Sequence, residues 1–138
     1  TEADLAAALA KTNEEHILIL RTGFSEKIDY GDDRWPALSP YLTETAAQWI
    51  ADKGYDVVAV DFELDEGRKK IGRQTPTKAE LRSEARLLEN GIGIIKNLTN
   101  LSELKTADPL IAAMPLYLPG AEAAPARVLA LEWSGDQG

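Results

Sequence analysis

The alternation of short apolar runs with helix-patterned segments is the feature that most constrains the fold of this chain. Three runs have the length and composition of buried strands: ILIL at 17–20, DVVAV at 56–60 and GIGII at 91–95. A helix is predicted before the second run, from the cap residue Thr43 to Gly54, and another before the third, from Thr77 to Gly91. Repeated β-α-β order predicts an α/β fold in which these strands pair in parallel.

The two ends of the chain add further predicted elements. Thr1 and Asp4 form a capping arrangement, which predicts a helix through about Lys11. Two late apolar runs, LIAAMPLYL at 110–118 and ARVLALEW at 126–133, predict two strands that pair antiparallel across a loop with Pro and Gly. The whole pattern predicts a mixed sheet with flanking helices, in a single domain or fragment that spans residues 1–138.

Composition excludes several classes of function. The 138 residues carry a net charge of −8, which disfavours nucleic acid and anionic membrane as partners. The chain has no cysteine, so it can form neither a disulfide nor a thiolate metal site, and this composition suits the cytoplasm. No apolar run approaches the roughly 20 residues that a membrane helix needs. We therefore expect a cytoplasmic protein that binds neither nucleic acid nor membrane.

Reactive side chains are few. His16 is the only histidine, and a lone histidine at the start of a strand is more typical of a structural residue than of a metal ligand. Neither a nucleophile elbow nor a dinucleotide-binding glycine pattern occurs. Thr1 has two interpretations, an N-terminal nucleophile or the end of a piece of a longer chain, and the second is preferred. These residues alone predict only an α/β domain.

Four segments in order carry a family resemblance: ILILRTGFS at 17–25, SPYLTETAAQWIADKGYDVVAVD at 39–61, RLLENGIGIIKNLTNLSEL at 86–104 and MPLYLPGAEAAPARVLAL at 114–131. Together the segments resemble the cyclase-like metal-dependent hydrolases, which include bacterial kynurenine formamidases and isatin hydrolases. The resemblance implies the later half of that family's swivelling β/β/α-type domain. The family's motif His-x-Gly-Thr-His-x-Asp-x-Pro-x-His has no counterpart here, which implies that an N-terminal half or companion chain carries most of the metal ligands.

The resemblance also places two site residues by their distance from Gly91. The family has a metal-binding histidine seven residues before this glycine and a metal-binding glutamate five residues after it; here these positions hold Glu84 and Lys96. Glu84 is therefore a candidate ligand for a divalent metal, zinc or manganese, although a carboxylate favours metals other than zinc. A protonated lysine cannot bind a metal, so the alternative is that this chain binds none.

Lys96 has three interpretations. It is a candidate catalytic residue, standing in for a lost cation or orienting a substrate carboxylate. It is equally a candidate for a structural salt bridge with Glu84 or with an upstream carboxylate. The least favoured interpretation is a deprotonated base, because that role needs a large downward pKa shift.

The loop after the first predicted strand supplies candidate substrate-binding residues, namely Arg21, Phe24 and Trp35. Alternatively, the aromatic residues fill the core and Arg21 ties the loop down. The resemblance implies hydrolysis of an amide, formamide or lactam-type C–N bond in a small-molecule substrate by metal-activated water. The alternative is a non-catalytic cyclase-like subunit or binding protein. In either case we expect exposed apolar sheet surface, and therefore a companion segment or an oligomer.

Overall fold

The computed structural model describes residues 1–8, 16–65, 81–106 and 108–133. The chain divides into two compact units, Thr1–Leu101 and Ser102–Gly138. Within the described residues, no helix has the length and apolar character required to cross a membrane. The prediction of a single domain or fragment stays a prediction.

A three-stranded parallel sheet forms the centre of the first unit. Its strands are β1 (Ile17–Leu20), β2 (Val57–Val60) and β3 (Gly93–Ile95), in the order β1-β2-β3. Both pairings are parallel, as the sequence predicted. Gly93 lies opposite Val57, and a Cβ atom added to this glycine would lie 3.4 Å from Val57 Cγ2. The Gly93 position therefore packs directly against the Val57 side chain.

The described part of this unit contains four helices: α1 (Glu2–Ala8), α2 (Trp35–Leu38), α3 (Glu44–Lys53) and α4 (Arg82–Glu89). The predicted cap of α3 is present, because the Thr43 side chain accepts a hydrogen bond from Ala46 N, and α3 ends at Gly54 with φ +81°. The predicted extension of α1 to Lys11 and the predicted cap Thr77 lie outside the described residues.

The core lies between the sheet and helices α3 and α4. Four side chains of this core are fully buried, namely Ile50 of α3, Leu87 of α4, and Val58 and Val60 of β2. Ala59, between the two valines, is buried as well, so β2 is covered on both faces, which is typical of a central parallel strand. The core therefore fixes the position of the central strand, from whose end several polar side chains emerge.

The second unit contains an antiparallel hairpin of β4 (Leu110–Pro115) and β5 (Ala126–Leu131), which follows the 3-10 helix Leu101–Glu103. The hairpin confirms the predicted antiparallel pairing of the two late apolar runs. Together, the two units give the predicted mixed α/β architecture.

Candidate functional site

Polar side chains collect where the parallel strands of the first unit end. The carboxyl ends of neighbouring parallel strands meet at one edge of a sheet, and ligands of open α/β sheets bind at that edge. Glu63 follows β2, whereas Lys96 and Asn97 follow β3 directly. Glu84 joins them from the first turn of α4. We call Glu63, Glu84, Lys96 and Asn97 the edge cluster.

Lys96 lies within reach of two carboxylates. Its Nζ donates a hydrogen bond to Glu84 Oε2 at 3.2 Å and lies 4.0 Å from Glu63 Oε2. The side chains are largely buried, with 24% of Lys96, 22% of Glu84 and 14% of Glu63 exposed. The structure therefore brings together the two predicted site residues, Lys96 and Glu84. Their ion pair is the structural salt bridge that the sequence analysis gave as an alternative to a catalytic role for Lys96.

Sequence reasoning missed two members of the edge cluster. Asn97 has a left-handed backbone, with φ +58°, and its Nδ2 lies 3.4 Å from Glu63 Oε1. The Asn97 Oδ1 atom is buried and has no hydrogen-bond donor among the described residues. The signal for Glu63 was partial, because Glu63 and Lys96 each follow a predicted parallel strand, but only the structure shows that these two strands are neighbours.

A buried aspartate positions Glu84. Asp65 Oδ1 accepts a hydrogen bond from Ser83 N at 2.8 Å, and Asp65 Oδ2 accepts one from Glu84 N at 3.0 Å. The Asp65 carboxylate thus caps the amino end of α4, where backbone N–H groups lack helical partners. Burial raises the pKa of Asp65 above its ordinary value, while these two hydrogen bonds oppose the rise. The sequence analysis did not predict this cap.

A second buried aspartate holds the loop after β1 against the end of β2. Asp61 Oδ1 accepts hydrogen bonds from Thr22 N and Thr22 Oγ1, and Asp61 Oδ2 accepts one from Phe24 N. This carboxylate is fully buried. Its donors therefore fix the direction in which the chain leaves β1, next to Arg21.

The three predicted substrate-binding residues lie in different environments. Phe24 and Trp35 are both buried, with ring centroids 4.6 Å apart, and only 2% of Trp35 is exposed. The described contacts of Phe24 and Trp35 are those of core residues, which agrees with the alternative interpretation that the aromatic residues fill the core. Arg21 is half-exposed and forms an ion pair with Glu26 at 3.3 Å. Substrate binding by these three residues stays a prediction.

The chemistry of the edge cluster does not fit a divalent metal by itself. An ammonium group lies against both carboxylates that would serve as ligands, and it repels a second cation. Among the described residues, no group of three or more His, Cys, Asp or Glu side chains is arranged to hold a metal ion. Glu84 remains a predicted ligand only in combination with residues from elsewhere.

Comparison with known proteins shows what this chain is similar to. The Cyclase family model, described as "Putative cyclase", matches residues 1–65. A solved "potential metal-dependent hydrolase with cyclase activity" is 25% identical to the chain, with a TM-score of 0.59 over 91% of this chain and 56% of that one. A "predicted metal-dependent hydrolase from Bacillus stearothermophilus" is 27% identical, with a TM-score of 0.67 over 94% of this chain and 55% of that one. The chain is cyclase-like.

These matches confirm the resemblance predicted from the sequence and the α/β fold that it implied. The cyclase-like chain spans about half the length of the two solved structures. A search of curated proteins found no match. In the cyclase-like chain, the edge cluster holds two carboxylates and an ammonium group.

Proposed function

We propose that this chain forms part of a cyclase-like hydrolase, similar to kynurenine formamidases, that opens an amide, formamide or lactam-type C–N bond in a small-molecule substrate. The observation that carries the proposal is the edge cluster, which gathers charged, partly buried side chains at the carboxyl edge of the parallel sheet. The likeness to two structures described as metal-dependent hydrolases supports the hydrolytic reaction class.

A bound divalent metal, zinc or manganese, would supply an activated water in such a reaction. Most of the ligands would come from an N-terminal half or companion chain, as the family resemblance implies. The chain itself would contribute positive charge. The Lys96 ammonium is held in place by Glu84, and the Arg21 guanidinium is partly exposed beside Glu26, so both cations can orient an anionic substrate.

The test is to purify the full-length protein as it occurs in its source and measure bound metal together with hydrolysis of N-formyl, amide and lactam substrates. We expect one equivalent of metal and turnover of one of these classes. Lys96→Met should then reduce kcat/KM by about tenfold or more if Lys96 orients the substrate. Lys27→Met is the matched control, because Lys27 is an exposed lysine on the loop after β1. Absence of metal and of turnover would contradict the proposal.

A second candidate function is favoured by one specific observation. Lys96 is already engaged by two carboxylates, which is the arrangement expected of a non-catalytic cyclase-like subunit or binding protein that has lost its metal. In this case Lys96→Met should alter stability without altering any activity of the assembled protein. The metal measurement separates the two functions, because only the hydrolase requires a stoichiometric metal.

We also propose that a companion segment, or a second copy of the chain, covers the hairpin of the second unit. Side chains of directly paired residues share a face, so Leu110 and Leu131 lie on one face, as do Ala112 and Leu129. The other face carries Ile111 and Val128, among others, and both faces are therefore apolar. An isolated two-stranded hairpin is only marginally stable in water, so covering these faces would stabilise it.

The occupant we favour is the part of the cyclase-like domain that this chain does not span, since the two solved structures are almost twice as long as the matched region. Light scattering of residues 1–138 alone should then show association, and adding the missing segment should give a defined complex. Leu131→Ser should weaken that complex, whereas Leu88→Ser, an exposed position on α4, should not. A monodisperse, cooperatively unfolding monomer of these 138 residues would contradict this proposal.

A cytoplasmic location is proposed from the absence of cysteine.

A further inference from the structure

We propose that the pair Asn90 and Gly91, at the end of α4, is a site of spontaneous deamidation whose rate is set by the closing turn of the helix. The chain has four asparagines, and only Asn90 is followed by glycine. Asparagine deamidates fastest before glycine, because glycine has no side chain to hinder the ring closure. The proposal concerns the backbone between α4 and β3, so it holds for the hydrolase and for the non-catalytic subunit alike.

The reaction requires only water. The backbone nitrogen of Gly91 loses its proton to hydroxide and attacks the side-chain carbonyl carbon of Asn90. A C–N bond to this nitrogen forms, the bond to Nδ2 breaks, and the amide group takes up a proton and leaves as ammonia. Water then opens the resulting succinimide ring at one of its two carbonyl groups, which gives aspartate or isoaspartate. The net change is the gain of one water and the loss of one ammonia, without oxidation or reduction.

The surroundings of the pair allow this chemistry. Asn90 and Gly91 are both exposed, so water and hydroxide reach them. Gly91 has φ +76°, and no atom of the other described residues, its chain neighbours apart, lies within 4 Å of the place that a Cβ atom would occupy. Solvent access and open space are the two local conditions that ring closure requires.

The folded chain nevertheless holds both reacting groups in hydrogen bonds. Asn90 Nδ2 donates to the Arg86 carbonyl oxygen at 2.8 Å, and Gly91 N donates to the Leu88 carbonyl oxygen at 3.0 Å. The first bond keeps the asparagine side chain on the last turn of α4, and the second withholds the amide proton from hydroxide. The reaction must therefore wait until this turn opens locally.

The core opposes that opening. Ile92 N donates to the Leu87 carbonyl oxygen at 3.0 Å, which closes the turn around Asn90 and Gly91. The Leu87 side chain is fully buried and only 4% of Ile92 is exposed, so opening the turn strains or exposes apolar contacts on both sides. We therefore expect the folded protein to deamidate more slowly than the unfolded chain, and a weakened core to speed the reaction.

The isoaspartate product would disturb the connection between α4 and β3. Only three residues separate the end of α4 at Glu89 from the start of β3 at Gly93. Gly93 N already donates to the Asp56 carbonyl oxygen at 2.8 Å, so the connection has little slack. Isoaspartate adds one carbon atom to the main chain within this connection. The aspartate product only places a negative charge near the carboxyl end of α4, which the helix dipole disfavours weakly.

The experiment incubates the purified protein at mildly alkaline pH, in buffer and in concentrated urea, and follows each asparagine by peptide mapping with mass spectrometry. In urea, Asn90 should be modified first. In buffer, its rate should be at least about tenfold lower than in urea, because the turn must open before the ring closes. Leu87→Ala should raise the rate in buffer, whereas Leu129→Ala, an exposed position in the second unit, should leave it unchanged.

The isoaspartate form gains a negative charge, so anion exchange separates it from the unmodified protein for thermal unfolding. Asn90→Asp is the matched control, because it carries the same charge without the additional main-chain carbon. The isoaspartate form should melt at a lower temperature than Asn90→Asp. The proposal is overturned if another asparagine is modified before Asn90 in urea, if the rates in buffer and in urea are equal, or if the isoaspartate form melts together with Asn90→Asp. None of these outcomes depends on hydrolysis of a substrate, so a missing activity would count only against the proposed enzyme.

Discussion

The parallel sheet of the first unit and the hairpin of the second are built from the same kinds of aliphatic residue and differ sharply in burial. Val58 and Val60 of β2 are inaccessible to solvent, whereas Leu129 and Leu131 of β5 are exposed. The two regions differ in burial because different elements pack against them. Helices α3 and α4 lie beside the parallel sheet, and their apolar residues join its core cluster. Apolar composition predicts that a strand needs a cover, and only the fold shows whether the chain provides one.

The sharpest way to test this contrast is to truncate one leucine in each unit. Leu87 in α4 is completely buried, so Leu87→Ala should destabilise the protein by about 3 kcal/mol through lost burial and a residual cavity. Leu129→Ala removes the same atoms from an exposed position and should cost about 0.5 kcal/mol or less. Urea unfolding followed by circular dichroism measures both.

Equal effects of the two leucine substitutions would break the comparison, because they would mean that the hairpin face is covered in solution. Repeating the measurement over a range of protein concentrations then tells whether a second copy provides the cover. In that case the cost of Leu129→Ala should grow as the concentration rises.

A smaller effect is expected where the first unit is held by polar contacts. Asp61→Ala removes a carboxylate that accepts from two backbone N–H groups and one hydroxyl, and the two N–H groups, of Thr22 and Phe24, lose that partner. We expect a loss of about 2 kcal/mol in the free energy of unfolding. The matched control is Asp56→Ala, which removes an exposed side-chain hydrogen bond with His16 and should cost about 0.5 kcal/mol at most. Similar losses for both variants would contradict the role of Asp61.

The smallest effect concerns pH. Burial raises the pKa of Asp65 above 3.8, so the folded protein keeps this proton to a higher pH than the unfolded chain. The stability contributed by Asp65 is therefore fully present below 3.8 and is lost as the pH rises through the folded-state pKa. The free energy of unfolding of the unmodified protein, relative to Asp65→Asn, should fall as the pH rises above 3.8 and through the folded-state pKa.

Asp32 provides the opposite sign. Hydrogen bonds from Arg34 lower the pKa of Asp32 from 3.8 to about 2. Its contribution is present above 3.8 and is lost as the pH falls through about 2, so Asp32→Asn should reduce the slope of stability with pH at the acid end. The same sign for both variants would contradict the assigned environments.

The order and pairing of the elements were predictable because they rest on local patterns. The strand runs, the Thr43 cap and the Gly54 stop each lie within a few residues of the element that they define. The family resemblance followed from the same segments taken together. Periodicity, by contrast, could not show whether Phe24 and Trp35 line a pocket or fill the core, because aromatic residues on a long loop do either.

The candidate site was only half predictable. Glu84 and Lys96 came from spacing around one glycine, but Glu63 required knowing that β2 and β3 are neighbours. Asp65 was missed because it caps a helix from a residue well upstream in the chain, whereas sequence rules look for a cap next to the helix. Contacts between residues distant in sequence carry the site, and a single sequence does not display them.

The short stretch from Asp61 to Asp65 follows the central strand and is held at both of its ends. Asp61 accepts hydrogen bonds from the loop after β1, and Asp65 accepts hydrogen bonds from the amino end of α4. Its anchors bridge chain separations of 37 and 18 residues, so they close large loops and raise the contact order of the first unit. We therefore expect the contact between Asp61 and Phe24 to be among the last to form during refolding. A spectroscopic probe placed there would report completion of the fold rather than its initiation.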